Sequence, residues 1–210
     1  MSREDNTAVQ RKVGIMGGTF DPIHMGHLIL GETAYEQLGL EKVLFMPSGN
    51  PPHKRNRKGC ASDQERSDMV RLAIYDNPHF ELSLMEMHEE GYTYTYRTLE
   101  ALREQHPDTV YYFIIGADSL YTFHTWMKPQ RICDNCILAV AVRDHIPDGE
   151  LDEAIRKTSE TYSAEIVKLV SPNIDVSSSL LRSWVQEGRS VRYYVPKKVR
   201  EYILEHQVYR

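Results

Sequence analysis

The sequence predicts an α/β fold: a doubly wound, Rossmann-like parallel sheet with helices on both faces and a helical C-terminal segment. Three observations carry that expectation. Short runs rich in Val, Ile, Leu and Phe alternate with helix-period patterns along most of the 210 residues. Several runs are almost continuously apolar, as strands buried on both faces of a parallel sheet must be. The first run leads directly into Gly17-Gly18 and then a helical pattern, the strand–turn–helix start of a βαβ unit.

Taken in order, a strand is expected at 12–16 and a helix at 28–38, followed by a strand at 42–46. The next helix begins at Ser62, because Ser62 and Glu65 have capping-box spacing ahead of Met69, Leu72 and Ala73 on one face. A strand at 80–85, a helix at 96–105 and a strand at 110–115 repeat the unit. Strands at 137–142 and 165–170 flank a helix at 151–161. Two helices close the chain, one at 178–186 with Gly188 just past its end and one at 197–205 with Pro196 at its first position. No linker separates a second domain, so 12–210 read as one domain behind a mobile extension at 1–11.

Charge narrows the partners. With 25 Lys+Arg against 30 Asp+Glu, the formal charge is −5, the wrong sign for a protein that coats nucleic acid or an anionic membrane. The positive charge is local: residues 1–58 carry 8 basic and 6 acidic groups, and the remainder 17 and 24. The sequence has no apolar run of about 18 residues and no signal-peptide core at its start, so it reads as cytoplasmic and without a membrane partner. It is compatible with a homo-oligomer. Cys60, Cys133 and Cys136 are too few for a disulfide framework. Cys133 and Cys136 form a lone C-x-x-C without a second pair to complete a zinc site, and read as small apolar residues at a helix end.

The chemistry concentrates in Gly17-Gly18-Thr19-Phe20-Asp21-Pro22-Ile23-His24-Met25-Gly26-His27. A strand ending in two glycines before a helix aims backbone N–H groups and a helix N-terminus at an anion. His24 and His27 share a face at the helix start, and Gly26 between them leaves room for a flat ligand against the backbone. Read as residue types alone, the glycines can be a tight turn and the histidines a metal pair. A metal pair would need further ligands that the motif lacks. Near the other end, Val176-Ser177-Ser178-Ser179-Leu180-Leu181-Arg182 places hydroxyls at a helix N-terminus and a guanidinium one turn in, a second anion site.

G-G-T-F-D-P-x-H-x-G-H resembles the signature of the nucleotidylyltransferase superfamily, and the Ser177–Arg182 stretch resembles that superfamily's I-S-S-[ST]-x-[IL]-R segment. From about residue 12 onward the chain is most similar to the bacterial nicotinate mononucleotide adenylyltransferases. Pro51-Pro52-His53-Lys54 resembles their P-P-H-[KR] loop, and Tyr94-Thr95 the centre of their S-Y-T segment. Ile114-Ile115-Gly116-Ala117-Asp118 and Thr125-Trp126 resemble their I-I-G-x-D and [TK]-W. Ser179, Leu181 and Met16 are mild departures.

The resemblance implies an enzyme whose substrates are ATP, accompanied by Mg²⁺, and nicotinate mononucleotide, with in-line displacement and no covalent intermediate. It implies that His24, His27 and Arg182 are catalytic. Gly17, Gly18, Thr19, Phe20, Gly26, Ser177, Ser178 and Ser179 would bind ATP. Lys54, Thr95, Asp118 and Trp126 would bind the mononucleotide, with Trp126 stacking on the ring, Thr95 facing its carboxylate and Asp118 the ribose. The competing readings are a pantetheine-phosphate or FMN type of transferase on the same scaffold, or a nucleotide sensor without turnover.

Overall fold

The protein's structure is a computed structural model that describes residues 10–49, 59–87, 93–142, 148–172 and 174–210. Six parallel strands form one sheet in the order β3-β2-β1-β4-β5-β6. They are β1 (Arg11–Gly18), β2 (Lys42–Pro47), β3 (Phe80–Leu82), β4 (Thr109–Gly116), β5 (Ile137–Val142) and β6 (Ile166–Val170). The order reverses between β1 and β4, both central, so their carboxyl ends flank the crevice where doubly wound sheets bind ligands.

The helices cover both faces: α1 (Met25–Leu38), α2 (Asp63–Ile74), α3 (Thr95–Gln105), α4 (Ala117–Tyr121), α5 (Pro129–Cys133), α6 (Asp148–Tyr162), α7 (Ser178–Gln186) and α8 (Lys197–Glu205). Side chains alternate along each strand, which splits the interior into two cores. Val43, Phe45, Tyr112 and Ile114 point to one face and pack with α1, α2, α7 and α8. Leu44, Met46, Tyr111, Phe113 and Ile115 point to the other and pack with α3, α4, α5 and α6. Fully buried residues such as Leu138 and Leu169 each contribute about 1.5–3 kcal/mol by leaving water.

Helix α1 lies close to the sheet because Gly31 faces it: a Cβ there would stand 2.9 Å from Phe45 Cζ. The α2 capping box forms as expected, with Ser62 Oγ accepting from Glu65 N at 3.3 Å and Glu65 Oε2 accepting from Ser62 N at 2.7 Å. At the sheet's far edge, the Gln37 side chain of α1 donates to Val170 O at 2.7 Å and accepts from Val170 N at 3.1 Å.

Several elements differ from expectation. Arg11, assigned to a mobile extension, is the first residue of β1 and forms a salt bridge with Glu41. Strand β3 stops at Leu82, and a short 3-10 turn occupies Met85–Met87. Helices α4 and α5 were not anticipated, and Pro196 is the N-cap of α8 rather than its first helical residue.

Candidate active site

Two cavities open over the carboxyl edge of the sheet, one of about 410 Å³ and one of about 540 Å³. Gly17, Phe113, Ser119 and Trp126 line both, so the two are halves of one cleft that meet where β1 and β4 end. The first half contains His24, Gly26, His27, Asp118, Ser177 and Ser178. The second contains Gly18, Thr19, Thr95 and Trp126 with an apolar wall of Ile15, Met46 and Leu99.

His24 is the N-cap of α1 and His27 its third residue, an arrangement that stacks the two rings at 3.7 Å and 27°. The backbone N–H of His24 donates to His27 Nδ1 at 3.2 Å, the place that Glu or Gln occupies in a capping box. With Nδ1 accepting, the neutral ring carries its proton on Nε2. Burial, reinforced by neighbouring His24, holds the His27 pKa well below its ordinary value of 6.5. The edge of the Phe20 ring meets His27 at 5.0 Å and 80°. His27 is therefore a fixed, neutral N–H donor.

The Ser-rich helix start sits against the first motif. Ser177 caps α7, its Oγ accepting from Leu180 N at 3.3 Å. Ser178 Oγ donates to Pro22 O at 2.9 Å, and Arg182 Nη1 donates to Asp21 O at 2.6 Å while lying 3.5 Å from Asp21 Oδ2. Asp21, only 3% exposed, also accepts from Ala61 N at 3.0 Å. Two segments more than 150 residues apart in sequence are joined at the Asp21–Pro22 turn, whose peptide bond is cis.

Trp126 follows a 3-10 turn at Phe123–Thr125 and is held by Phe113 at 6.1 Å and Phe123 at 5.5 Å, leaving it half-buried against the cleft. Thr95 is the first residue of α3, after the N-cap Tyr94. Both line the second cavity.

The expected site residues fall on both halves of the cleft. Gly18 and Thr19, expected with ATP, line the Thr95–Trp126 half. Asp118, expected with the mononucleotide, is exposed in the first turn of α4 and lines the histidine half. Phe20 is 2% exposed and lines neither, its backbone in the left-handed region at φ 49°. Such a conformation in a non-glycine residue costs about 1–2 kcal/mol, which ring burial between His27 and Phe45 offsets. Arg182 and Ser179 are also outside both linings: Arg182 is turned onto Asp21, and Ser179 Oγ faces Ser177 Oγ at 3.1 Å. Lys54 and its Pro51-Pro52-His53 neighbours lie outside the described residues. No group of three or more His, Cys, Asp or Glu placed to hold a metal occurs among the described residues.

Residue-type reasoning missed Phe113 and Ser119, which line both halves. It also gave Asp21 no role, although the residue stands inside the glycine–histidine motif and so was within reach.

Comparison with known proteins agrees with this geometry. A family model described as cytidylyltransferase-like matches residues 15–183. A probable nicotinate-nucleotide adenylyltransferase of Lachnoclostridium phytofermentans is 46% identical over 95% of this chain and 99% of its own length. One from Lactiplantibacillus plantarum is 41% identical over 98% of this chain and 92% of its own. Among solved structures, Plasmodium falciparum nicotinic acid mononucleotide adenylyltransferase complexed with NaAD superposes with a TM-score of 0.75 at 20% identity, covering 95% of this chain and 97% of that one. That likeness bears on the fold, while the identity of the bacterial relatives over nearly their full length bears on kinship. A sheet with this strand order, a histidine pair at its switch point and relatives of this closeness leave one placement: the chain belongs to the cytidylyltransferase-like family, among its nicotinate-nucleotide adenylyltransferases.

Proposed function

We propose that the protein joins ATP and nicotinate mononucleotide, giving nicotinate adenine dinucleotide and pyrophosphate. The observation that carries this reading is the bipartite cleft, whose halves meet at Gly17 with the stacked histidines on one side and Trp126 spanning both. One substrate fills each half, so a mononucleotide phosphate and the ATP α-phosphate are brought together at the seam.

A phosphate monoester has a second pKa near about 6, so the attacking oxygen is already mostly deprotonated at neutral pH. The protein needs no base and no nucleophile of its own; positioning and charge stabilisation carry the rate. The neutral His27 Nε2–H donates to an oxygen whose charge grows in the transition state, and His24 supports it by stacking. Amides of Thr19 and Phe20 orient the α-phosphate. The start of α7 receives the departing pyrophosphate, with Arg182, fixed by Asp21, supplying positive charge behind it. Mg²⁺ would enter with ATP as part of the substrate and would offset the charge of its phosphates. Trp126 offers its ring to the pyridine, and Thr95 faces the carboxylate.

The test is to incubate the protein with ATP and Mg²⁺ against nicotinate mononucleotide, nicotinamide mononucleotide, pantetheine phosphate and FMN in turn. Pyrophosphate release and dinucleotide formation fastest with nicotinate mononucleotide support the reading. Turnover with another acceptor alone, or none, overturns it.

A further inference from the structure

Arg66 lies on α2, outside both halves of the cleft, and is 3% exposed. Its guanidinium spans the carboxyl ends of two adjacent strands. Nη1 donates to Thr19 O at 2.7 Å, and Nη2 to Ser48 O at 2.8 Å, Gly49 O at 3.4 Å and Asp63 Oδ1 at 2.6 Å. Charge-assisted bonds of this length are strong, and a planar fork aims two nitrogens at two strands at once, which an ammonium cannot do. The carboxylate of Asp63 is itself 62% exposed, so solvent screens the anion while the cation stays buried beneath the turn.

We propose that Arg66 is a positioning residue of the phosphate-binding turn: by holding the Thr19 carbonyl it fixes the Thr19–Phe20 peptide with its N–H directed to the cleft side of the turn, behind the Thr19 lining. In a planar trans peptide the N–H points opposite to the preceding carbonyl. The Thr19 carbonyl is drawn toward α2, which packs on the α1 face of the sheet, whereas the Thr19 side of the cleft includes Leu99 and Ile132 of the opposite face. The N–H of Phe20 is thereby turned away from Arg66, to the side of the turn on which Thr19 lines the cleft. Phe20 cannot relax by rotating its own backbone without pulling its ring from between His27 and Phe45. The same guanidinium clamps the end of β2, so the two turns bordering the second half of the cleft move as one piece. The functional meaning of this clamp rests on the adenylyl-transfer reading above.

Labelling with ¹⁵N-phenylalanine gives five backbone amide signals, of which Phe20 is assigned by its loss in Phe20→Leu. In the wild type the Phe20 signal should move downfield on saturation with MgATP. In Arg66→Lys that displacement should fall by at least about half, with kcat reduced about ten- to a hundredfold, as for a sub-ångström to one-ångström misplacement, and KM for ATP much less affected. A merely structural role would lower the folded fraction without changing the signal's displacement per folded molecule. If Arg66→Lys does not fold, Arg66→Gln, which keeps a donor to one carbonyl, replaces it. A Phe20 signal that ignores MgATP in an active wild type overturns the proposal, as does an Arg66→Lys variant with wild-type displacement and kcat. Failure of the functional reading looks different: no dinucleotide forms in the wild type, and the Phe20 response in wild type and variant still decides the clamp.

Discussion

Replacing Gly26 by Ala perturbs the stacked histidine pair through a single methyl group. An added Cβ would stand 3.1 Å from both Cε1 and Nδ1 of His24 and 3.5 Å from Val176 Cγ1. His24 is 7% exposed and stacked on His27 at 3.7 Å, so it can yield only by a few tenths of an ångström and only by disturbing its partner. A displacement of about 1 Å at a reacting group costs about a hundredfold, so a third to a half of that corresponds to roughly 1 kcal/mol and about a fivefold loss of kcat. Stability should move the other way or not at all, because replacing Gly by Ala within a helix gains about 0.5–1 kcal/mol against the small crowding cost. Steady-state pyrophosphate release and a thermal melt on the same preparation make the test. An unchanged kcat would refute the claim that His24 geometry limits turnover. A Tm lowered by several degrees would assign the loss to packing instead.

Other perturbations separate the remaining roles. His27→Ala should lower kcat by about two orders of magnitude or more, the usual scale for one transition-state donor, with a smaller change in KM for ATP; near wild-type turnover would remove His27 from the mechanism. Trp126→Ala should raise KM for the mononucleotide by the equivalent of about 1–3 kcal/mol and affect ATP less, whereas equal effects would make Trp126 a shared wall rather than a stacking partner. Because the folded state holds His27 neutral well below 6.5, the unfolded chain binds the extra proton as pH falls through that value. Stability should therefore rise with pH up to about 6.5 and then flatten in this group's contribution, and the wild type should lose Tm on acidification more steeply than His27→Ala. Parallel Tm curves for the two proteins would show that the ring is not held neutral.

What was legible in the sequence was local. The Ser62–Glu65 spacing placed the start of α2, and the apolar runs at 42–46 and 137–142 placed β2 and β5 almost to the residue. Helices α4 and α5 span five residues each, little more than one turn, so no hydrophobic period can announce them. In the site, His24 and His27 were readable because their relation is set by one helical turn. The side of the seam taken by Gly18, Thr19 and Asp118 was not, because that depends on how the segments after β1 and β4 turn over the carboxyl edge of the sheet. Arg66 was illegible for a further reason. Three residues after Asp63 it has the spacing of an ordinary solvent-exposed ion pair, and only the return of α2 over the ends of β1 and β2 buries it.

The Gln37 side chain bears on how copies of this molecule meet. An outermost strand normally offers its N–H and C=O groups to any passing chain and so is a seed for sheet-to-sheet growth. At Val170 both groups are already engaged by one carboxamide, which imitates the peptide of a neighbouring strand without continuing as one. Val170 is 67% exposed, so without this amide an apolar side chain and an open edge would coincide at the end of β6. The molecule thus terminates its own sheet there, and a crowded cell meets a closed edge at that point instead of a template for aggregation.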